Sequence, residues 1–222
     1  WKEISMVFQG AMNSLDPVFT IKQQFDELLK QHGFDDNMDK IIRDAVSDVN
    51  LDYSILEKYP HELSGGMKQR IVIAMALLLK PKLVIADEPT TALDVTIQLQ
   101  ILKLLKSIQK NMNMSILFIS HNLSVVQKIA DYICIMKEGN IVEQNTKDNI
   151  FSNPQHEYTK KLISSQTKKK NIFKNISTPI LEVKNLKVWF PIKKGILRRV
   201  VNHVKAVNDI NFILGEKQTL GI

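Results

Sequence analysis

Leu63-Ser64-Gly65-Gly66-Met67-Lys68-Gln69-Arg70, followed by Leu83-Val84-Ile85-Ala86-Asp87-Glu88-Pro89-Thr90-Thr91-Ala92-Leu93-Asp94, decides the fold of this 222-residue chain. Ser64 before a glycine pair is N-cap chemistry, and it predicts a helix from about Gly66 to Leu79. After Arg70 that helix is apolar on nearly every side, so it should lie buried against a sheet. Leu83 to Ala86 is an unbroken apolar run, the pattern of a parallel strand covered on both faces. It ends in two adjacent carboxylates, where a parallel sheet presents its ligand site.

Outward from this core the chain alternates. Ile4 to Phe8 reads as a strand broken by Gln9-Gly10. Ile21 to Gln31 and Asp39 to Val49 have helical periodicity and make a small helical insertion. Val95 to Lys110 reads as a helix, Ile116 to Ile119 as a second covered strand, Asn122 to Ala130 as a helix and Tyr132 to Met136 as a strand. Helix–strand alternation predicts an α/β sheet. Residues 166–179 are basic and polar, a linker by composition. Strands are then expected near Leu181–Val188 and Lys205–Leu214, with another beginning at Thr219. Whether this last segment builds its own domain or docks on the preceding sheet is left open by the pattern.

Composition narrows the function classes. The longest apolar run, Ile71 to Leu79, is shorter than the ~18 residues that span a bilayer. Trp1-Lys2-Glu3 leads into a strand-like run, unlike a secretory leader. The single cysteine, Cys134, is expected to be a buried small hydrophobe. Net charge is +7, but residues 160–205 hold thirteen Lys/Arg and one acid, against seventeen and twenty-two elsewhere. The basic excess thus belongs to one solvated segment, and no nucleic-acid partner is expected.

The chemistry-bearing residues are individually weak signals. Asp87 can hold Mg²⁺ and Glu88 can orient or deprotonate a water. Ser64-Gly65-Gly66 at a helix start suits an anion, and equally an ordinary cap. His121, after a strand, can hydrogen-bond a phosphate oxygen or simply terminate a turn. In order they resemble the ATP-binding cassette (ABC) ATPases. That resemblance implies a P-loop NTPase core with a helical subdomain at about 18–80. It makes Gln9 the Q-loop glutamine near the metal, and Ser64, Gly65 and Gly66 the signature that touches the γ-phosphate of ATP on an opposite cassette. Asp87 becomes the Walker B carboxylate, Glu88 the catalytic base, Asp94 the D-loop aspartate and His121 the switch histidine.

Phe8 to Pro17, Pro60-His61-Glu62 and Ile150 to Thr159 look like the peptide/nickel importer group. A cysteine cluster is common there beyond residue 160; with one cysteine, no iron–sulfur cluster is expected. From Leu181 the chain resembles the start of a second cassette, with Phe190 near the adenine of ATP and Lys193 to Lys205 a basic insertion between strands. The resemblance therefore implies a first cassette over 1–165, a linker over 166–179 and a second cassette begun over 180–222. It implies ATP and Mg²⁺ as cofactors. The implied partners are transmembrane permeases, a second cassette and, indirectly, a periplasmic peptide-binding protein, at the cytoplasmic face of the inner membrane. None of the eight glycines begins a phosphate loop, Gly-x-x-x-x-Gly-Lys-Ser/Thr. The loops of the two cassettes are expected before Trp1 and after Ile222, so the isolated chain is expected not to hydrolyse ATP. A nucleic-acid or ribosome-associated ABC ATPase and a non-functional remnant are the competing expectations.

Overall fold

A computed structural model describes residues 3–10, 13–91, 93–166, 178–194 and 199–221. The chain divides into two compact units, Trp1–Thr167 and Lys168–Ile222. Most of the expected linker lies outside the described residues.

The first unit is built on three parallel strands, β1 (Ile4–Val7), β2 (Leu83–Asp87) and β3 (Ser115–Ile119), in the order β1-β2-β3. The register is fixed by Ile4 opposite Leu83, and by Leu83 opposite Ser115 through Asp87 opposite Ile119. All three strands therefore deliver their carboxyl ends to one edge, and Gln9, Asp87, Glu88 and His121 lie at or just beyond those ends.

Between β1 and β2 run helices α1 (Ile21–Gln31), α2 (Met38–Asp48) and α3 (Gly65–Leu77), with single 3-10 turns at Tyr53–Glu57 and Pro60–Glu62. Thr20 and Gln23 close a capping box at the start of α1. One continuous core joins these helices to the sheet: Phe25, Leu29, Ile42 and Leu56 pack in the same cluster as Ile71, Ile73, Val84 and Ile101. Each such buried Leu or Ile contributes ~1.5–3 kcal/mol. The helical insertion and the sheet thus share one hydrophobic core. Helix α3 buries Ile71, Val72, Ile73, Ala74 and Leu77, as its all-round apolarity predicted, but it ends two residues earlier than expected.

Helix α4 (Val95–Met112) runs to Asn113, whose left-handed backbone (φ 51°) ends it. Asn122 caps the short helix α5 (Leu123–Ile129), which leads into a hairpin of β4 (Tyr132–Lys137) and β5 (Asn140–Thr146). Helices α6 (Lys147–Ser152) and α7 (Glu157–Gln166), not foreseen in the sequence, follow. Leu123, Ile133, Ile135 and Ile150 form a second, smaller core, against which Tyr158 and Leu162 of α7 pack.

Two expectations fail here. Strand β3 is covered on one face only: Ile116 and Phe118 pack on the main core, whereas Leu117 and Ile119 are 52% and 44% exposed. Cys134 is exposed on β4, its thiol 3.8 Å from Gln144 Oε1. Alternation along β4 puts Ile133 and Ile135 inward and turns Cys134 out.

The second unit is an antiparallel ribbon of β6 (Pro179–Lys194) and β7 (Arg199–Gly215). Both strands are far longer than their apolar cores predicted. Lys193-Lys194 lie in β6 and Arg199 to Lys205 in β7, so these parts of the basic run belong to strands, and residues 195–198 lie outside the described residues. Long Lys and Arg side chains are compatible with an exposed ribbon because their stems cover apolar surface while the charge stays in water. The described residues after Gly215 form a turn and coil, not the strand expected from Thr219.

Candidate functional site

Glu88 is the centre of the site. It follows β2 with φ 46°, a left-handed backbone that costs a non-glycine residue on the order of 1–2 kcal/mol. Two main-chain bonds hold it there: its N–H donates to Ile119 O at 2.9 Å, and its carbonyl accepts from Thr91 N–H at 3.1 Å. Strain of this kind, placed immediately after a carboxylate-bearing strand end, aims a side chain.

Three side chains from three parts of the chain converge on that carboxylate. Gln9 Nε2, beyond β1, donates to Oε2 at 2.8 Å. Thr91 Oγ1, in the turn after Pro89, donates to the same oxygen at 3.0 Å. His121 Nδ1, beyond β3, lies 2.5 Å from Oε1. An ionised carboxylate only accepts, so this last contact sets the proton on Nδ1. The His121 hydrogen bond, then that of Thr91, holds the Glu88 carboxyl below the ordinary carboxylate range; burial opposes them, and the His121 charge and the Gln9 amide add to the lowering. The Glu88 side chain is 17% exposed and that of His121 74%, so the pair opens to solvent on the histidine side.

Asp87, the last residue of β2, is half-buried beside this cluster in sequence and carries a hard oxygen donor to the same edge. Gln9 commits its amide nitrogen to Glu88 and so keeps its carbonyl oxygen available. A carboxylate and an amide oxygen are the donor set a hard divalent cation prefers.

The glycine-pair segment opens α3, as its sequence reading expects. Ser64 does cap α3, accepting from Met67 N–H at 3.3 Å. A Cβ on Gly66, however, would meet Ile97 Cγ2 of α4 at 2.8 Å. Gly66 is thus required by the close approach of α3 to α4, whatever it does for a ligand. Asp94 is the N-cap of α4, its Oδ1 accepting from Thr96 N–H and Ile97 N–H at 3.0 Å each. Phe190 lies in the second unit, on β6 opposite Val204, and is 58% exposed.

Thr91 was missed by the sequence reading, although the hydroxyl pair Thr90-Thr91 directly after Glu88-Pro89 was its signal. The two hydroxyls divide the work: Thr91 reaches back to Glu88, while buried Thr90 accepts from Gln98 Nε2 at 3.0 Å and ties the turn to α4.

Known proteins share parts of this sequence and fold. Residues 1–91 match the family model for the ABC transporter. Residues of this chain also superpose on the structure of cbiO1 from Clostridium perfringens, described as part of the ABC transporter complex cbiONQ. The TM-score is 0.61 at 30% identity, over 68% of this chain and 60% of that one. The chain has the fold of an ABC transporter ATP-binding domain. A second cassette, MJ0796, solved as a dimer in a post-hydrolysis state bound to ADP and Pi, gives a TM-score of 0.56 at 26% identity. That match covers 65% of this chain and 63% of the cassette.

In sequence, the chain is 45% identical to the peptidoglycan transport ATP-binding protein YejF of Agrobacterium fabrum, over 99% of this chain and 41% of the relative. It is 39% identical to the glutathione import ATP-binding protein GsiA of Escherichia coli K12, over 99% of this chain and 40% of that protein. The chain therefore spans about two fifths of the length of these relatives. Among the described residues of the chain, no helix is long and apolar enough to cross a membrane.

Proposed function

We propose that this chain is part of the ATP-hydrolysing, energy-coupling subunit of an ABC importer for peptides. The observation that carries the reading is the convergence of Gln9, Thr91 and His121 on Glu88 at the carboxyl edge of the sheet. The peptidoglycan transport and glutathione import relatives support it, and peptidoglycan and glutathione both contain peptide units. On this reading the partners are transmembrane permeases and a second cassette, with a peptide-binding protein acting upstream. The cassette would sit at the cytoplasmic face of the inner membrane.

Bound at this edge, a nucleotide–magnesium complex would supply the phosphoryl group and neutralise its charge. Asp87 and the Gln9 carbonyl oxygen are the groups that would hold the cation. Glu88 accepts the proton of the attacking water at a carboxylate oxygen. In the state described here both its oxygens already carry donors, so its basicity is held down. Release of Gln9 or rotation of His121 raises it, and both residues lie on loops beyond strand ends, where such movement is permitted. Ser64 and Gly66, at the N-terminus of α3, present N–H groups to an anion of a facing cassette, and Phe190 offers an aromatic face to a base. The chain alone, with no glycine-rich phosphate loop in its sequence, does not turn over ATP.

The test replaces the corresponding segment of the Agrobacterium fabrum relative with residues 1–222. The chimera is expected to hydrolyse ATP with magnesium, and Glu88→Gln is expected to lower turnover by about 10²–10⁴-fold. A folded chimera without turnover, or one indifferent to Glu88→Gln, sinks the reading. Turnover by the isolated chain that Glu88→Gln abolishes sinks the inactivity.

A further inference from the structure

The two oxygens of the Glu88 carboxylate are used unequally. Each offers about two acceptor sites. Oε2 spends both, on Gln9 Nε2 and on Thr91 Oγ1. Oε1 spends one, on His121 Nδ1, and keeps the other. The His121 side of the pair is also the side open to solvent, since that side chain is 74% exposed. A water molecule can therefore donate to Oε1 without displacing any donor. It cannot donate to Oε2 until one leaves.

The three donors also differ in how firmly they are placed. Gln9 and His121 lie 79 and 33 residues from Glu88 in sequence, on loops beyond β1 and β3. A shift of either loop carries its donor away. Thr91 is three residues away, in the same turn. Its N–H donates to Glu88 O at 3.1 Å, which closes the turn, and Pro89 stands at the second position that β-turns favour for proline. Buried Thr90 anchors this turn to the body of the unit. Its Oγ1 accepts from Gln98 Nε2 of α4 at 3.0 Å, and its carbonyl accepts from Leu93 N–H at 3.4 Å. Threonine is itself stiff at χ1, so with its backbone fixed the Thr91 hydroxyl has few places to go. Glu88 and Thr91 thus move as one piece.

We propose that Thr91 is a positioning residue for the hydrolytic step: its hydroxyl holds Glu88 Oε2 while Gln9 and His121 come and go, and so presents Oε1 as the oxygen that takes the proton of the attacking water. The proton transfer rests on the nucleotide reading above, whereas the clamp rests on the geometry of the turn. The terminal torsion of a glutamate is broad and two-fold, so an unclamped carboxylate exchanges its oxygens and swings its free acceptor site away from the water. One donor inside the same turn removes that freedom. When Gln9 leaves for a cation, Thr91 is the donor that stays on Oε2. In the step itself the water O–H bond breaks and the proton ends on Oε1. The water oxygen keeps the electron pair with which it attacks the phosphoryl group.

Thr91→Val replaces the hydroxyl by a methyl at an exposed position and keeps the branched shape, whereas Thr91→Ser keeps the hydroxyl. Three-bond couplings of the Glu88 side chain, read by NMR in the full chain, are expected to report one rotamer for the parent and for Thr91→Ser. Averaged rotamers are expected for Thr91→Val, with unfolding curves alike for all three. In the chimera with the Agrobacterium fabrum relative, Thr91→Val is expected to lower kcat by about 10–10²-fold at unchanged KM, the loss that a small misplacement of a catalytic group causes. Thr91→Ser is expected to keep most of kcat. An unchanged Glu88 rotamer or a parental kcat in Thr91→Val overturns the proposal. An equal loss in Thr91→Ser puts the effect in the turn and not in the hydroxyl, and overturns it too. So does a raised KM at parental kcat, which makes Thr91 a ligand contact. Averaged rotamers in Thr91→Val beside a folded parent chimera without turnover uphold the clamp and overturn the nucleotide reading.

Discussion

Gly66→Ala tests whether the glycine of the signature is there for the helix pair. The added methyl would sit 2.8 Å from Ile97 Cγ2, closer than real Cβ contacts come. The obstructing atom branches directly from Ile97 Cβ, and β-branched side chains are stiff at χ1, so it cannot swing away as a long side chain would. Either α3 and α4 separate locally or Ile97 leaves its rotamer. Overpacking of this kind costs ~1–3 kcal/mol. Against it stands the gain of alanine over glycine in a helix, at most ~1 kcal/mol, and less here because Gly66 lies in the first turn. The net expectation is a loss of ~1–2 kcal/mol. For a unit of this size that lowers the melting temperature by about 2–8 °C. Calorimetry reads it directly. The control is Gly66→Ala with Ile97→Ala: with the obstruction gone, the glycine substitution should become neutral or stabilising, a coupling of at least ~1 kcal/mol. An unchanged or raised melting temperature for Gly66→Ala alone refutes the packing account and leaves the ligand as the reason for the glycine.

Asp94→Ala removes an acceptor shared by two N–H groups of α4 and should cost ~0.5–2 kcal/mol in denaturant unfolding, with Asp94→Asn recovering much of it. Arg70→Ala severs bonds from α3 to Val49 O at 2.8 Å and Gln100 Oε1 at 3.2 Å. Faster exchange is expected at the end of α2, with a loss of about 1–2 kcal/mol. His121→Ala should raise the Glu88 pKa more than Gln9→Ala does, read by carbon NMR titration of the carboxyl. Because the folded carboxyl lies below its unfolded value, its contribution to stability is present above the unfolded pKa of about 4.3 and is lost as pH falls through the folded one. Glu88→Gln should therefore flatten the acid limb of the stability curve, lowering stability at neutral pH and leaving acid pH less affected. An unchanged acid limb counts against the Glu88 clamp.

The strand–helix order of the first unit was legible because periodicity is a local signal. Leu83 to Ala86 had to be an inner strand, and Ile71 to Leu77 had to be a buried helix. What was not legible depended on partners outside the window. Ile116 to Ile119 has the same unbroken apolar pattern as β2, yet one face is open, because composition records what a strand can bury and not which neighbours are present. Cys134 follows the same logic: its run is apolar, but alternation on a hairpin decides which side each residue takes. Helices α6 and α7 are short and polar on much of their surface, and their few apolar residues serve a small second core. The ribbon strands were underestimated because pairing, not propensity, extends β6 and β7 through their lysines.

At the site, Gln9, Glu88 and His121 were legible in the sequence and Thr91 was not. Gly66 and Asp94 would be required at their positions even in a protein that binds nothing, one by the α3–α4 contact and the other by the start of α4. Their presence is therefore weak evidence for a ligand. Glu88 is different. No packing need puts a glutamate in a left-handed backbone and then spends a glutamine, a threonine and a histidine from three separate segments on its two oxygens. A residue that served only the turn after β2 would be satisfied by asparagine or glycine, which tolerate that backbone at lower cost. The convergence makes sense if the carboxylate must be held in one place and released by movement of its donors. The functional reading thus stands on Glu88 and its three partners, and it would survive the loss of the glycine argument altogether.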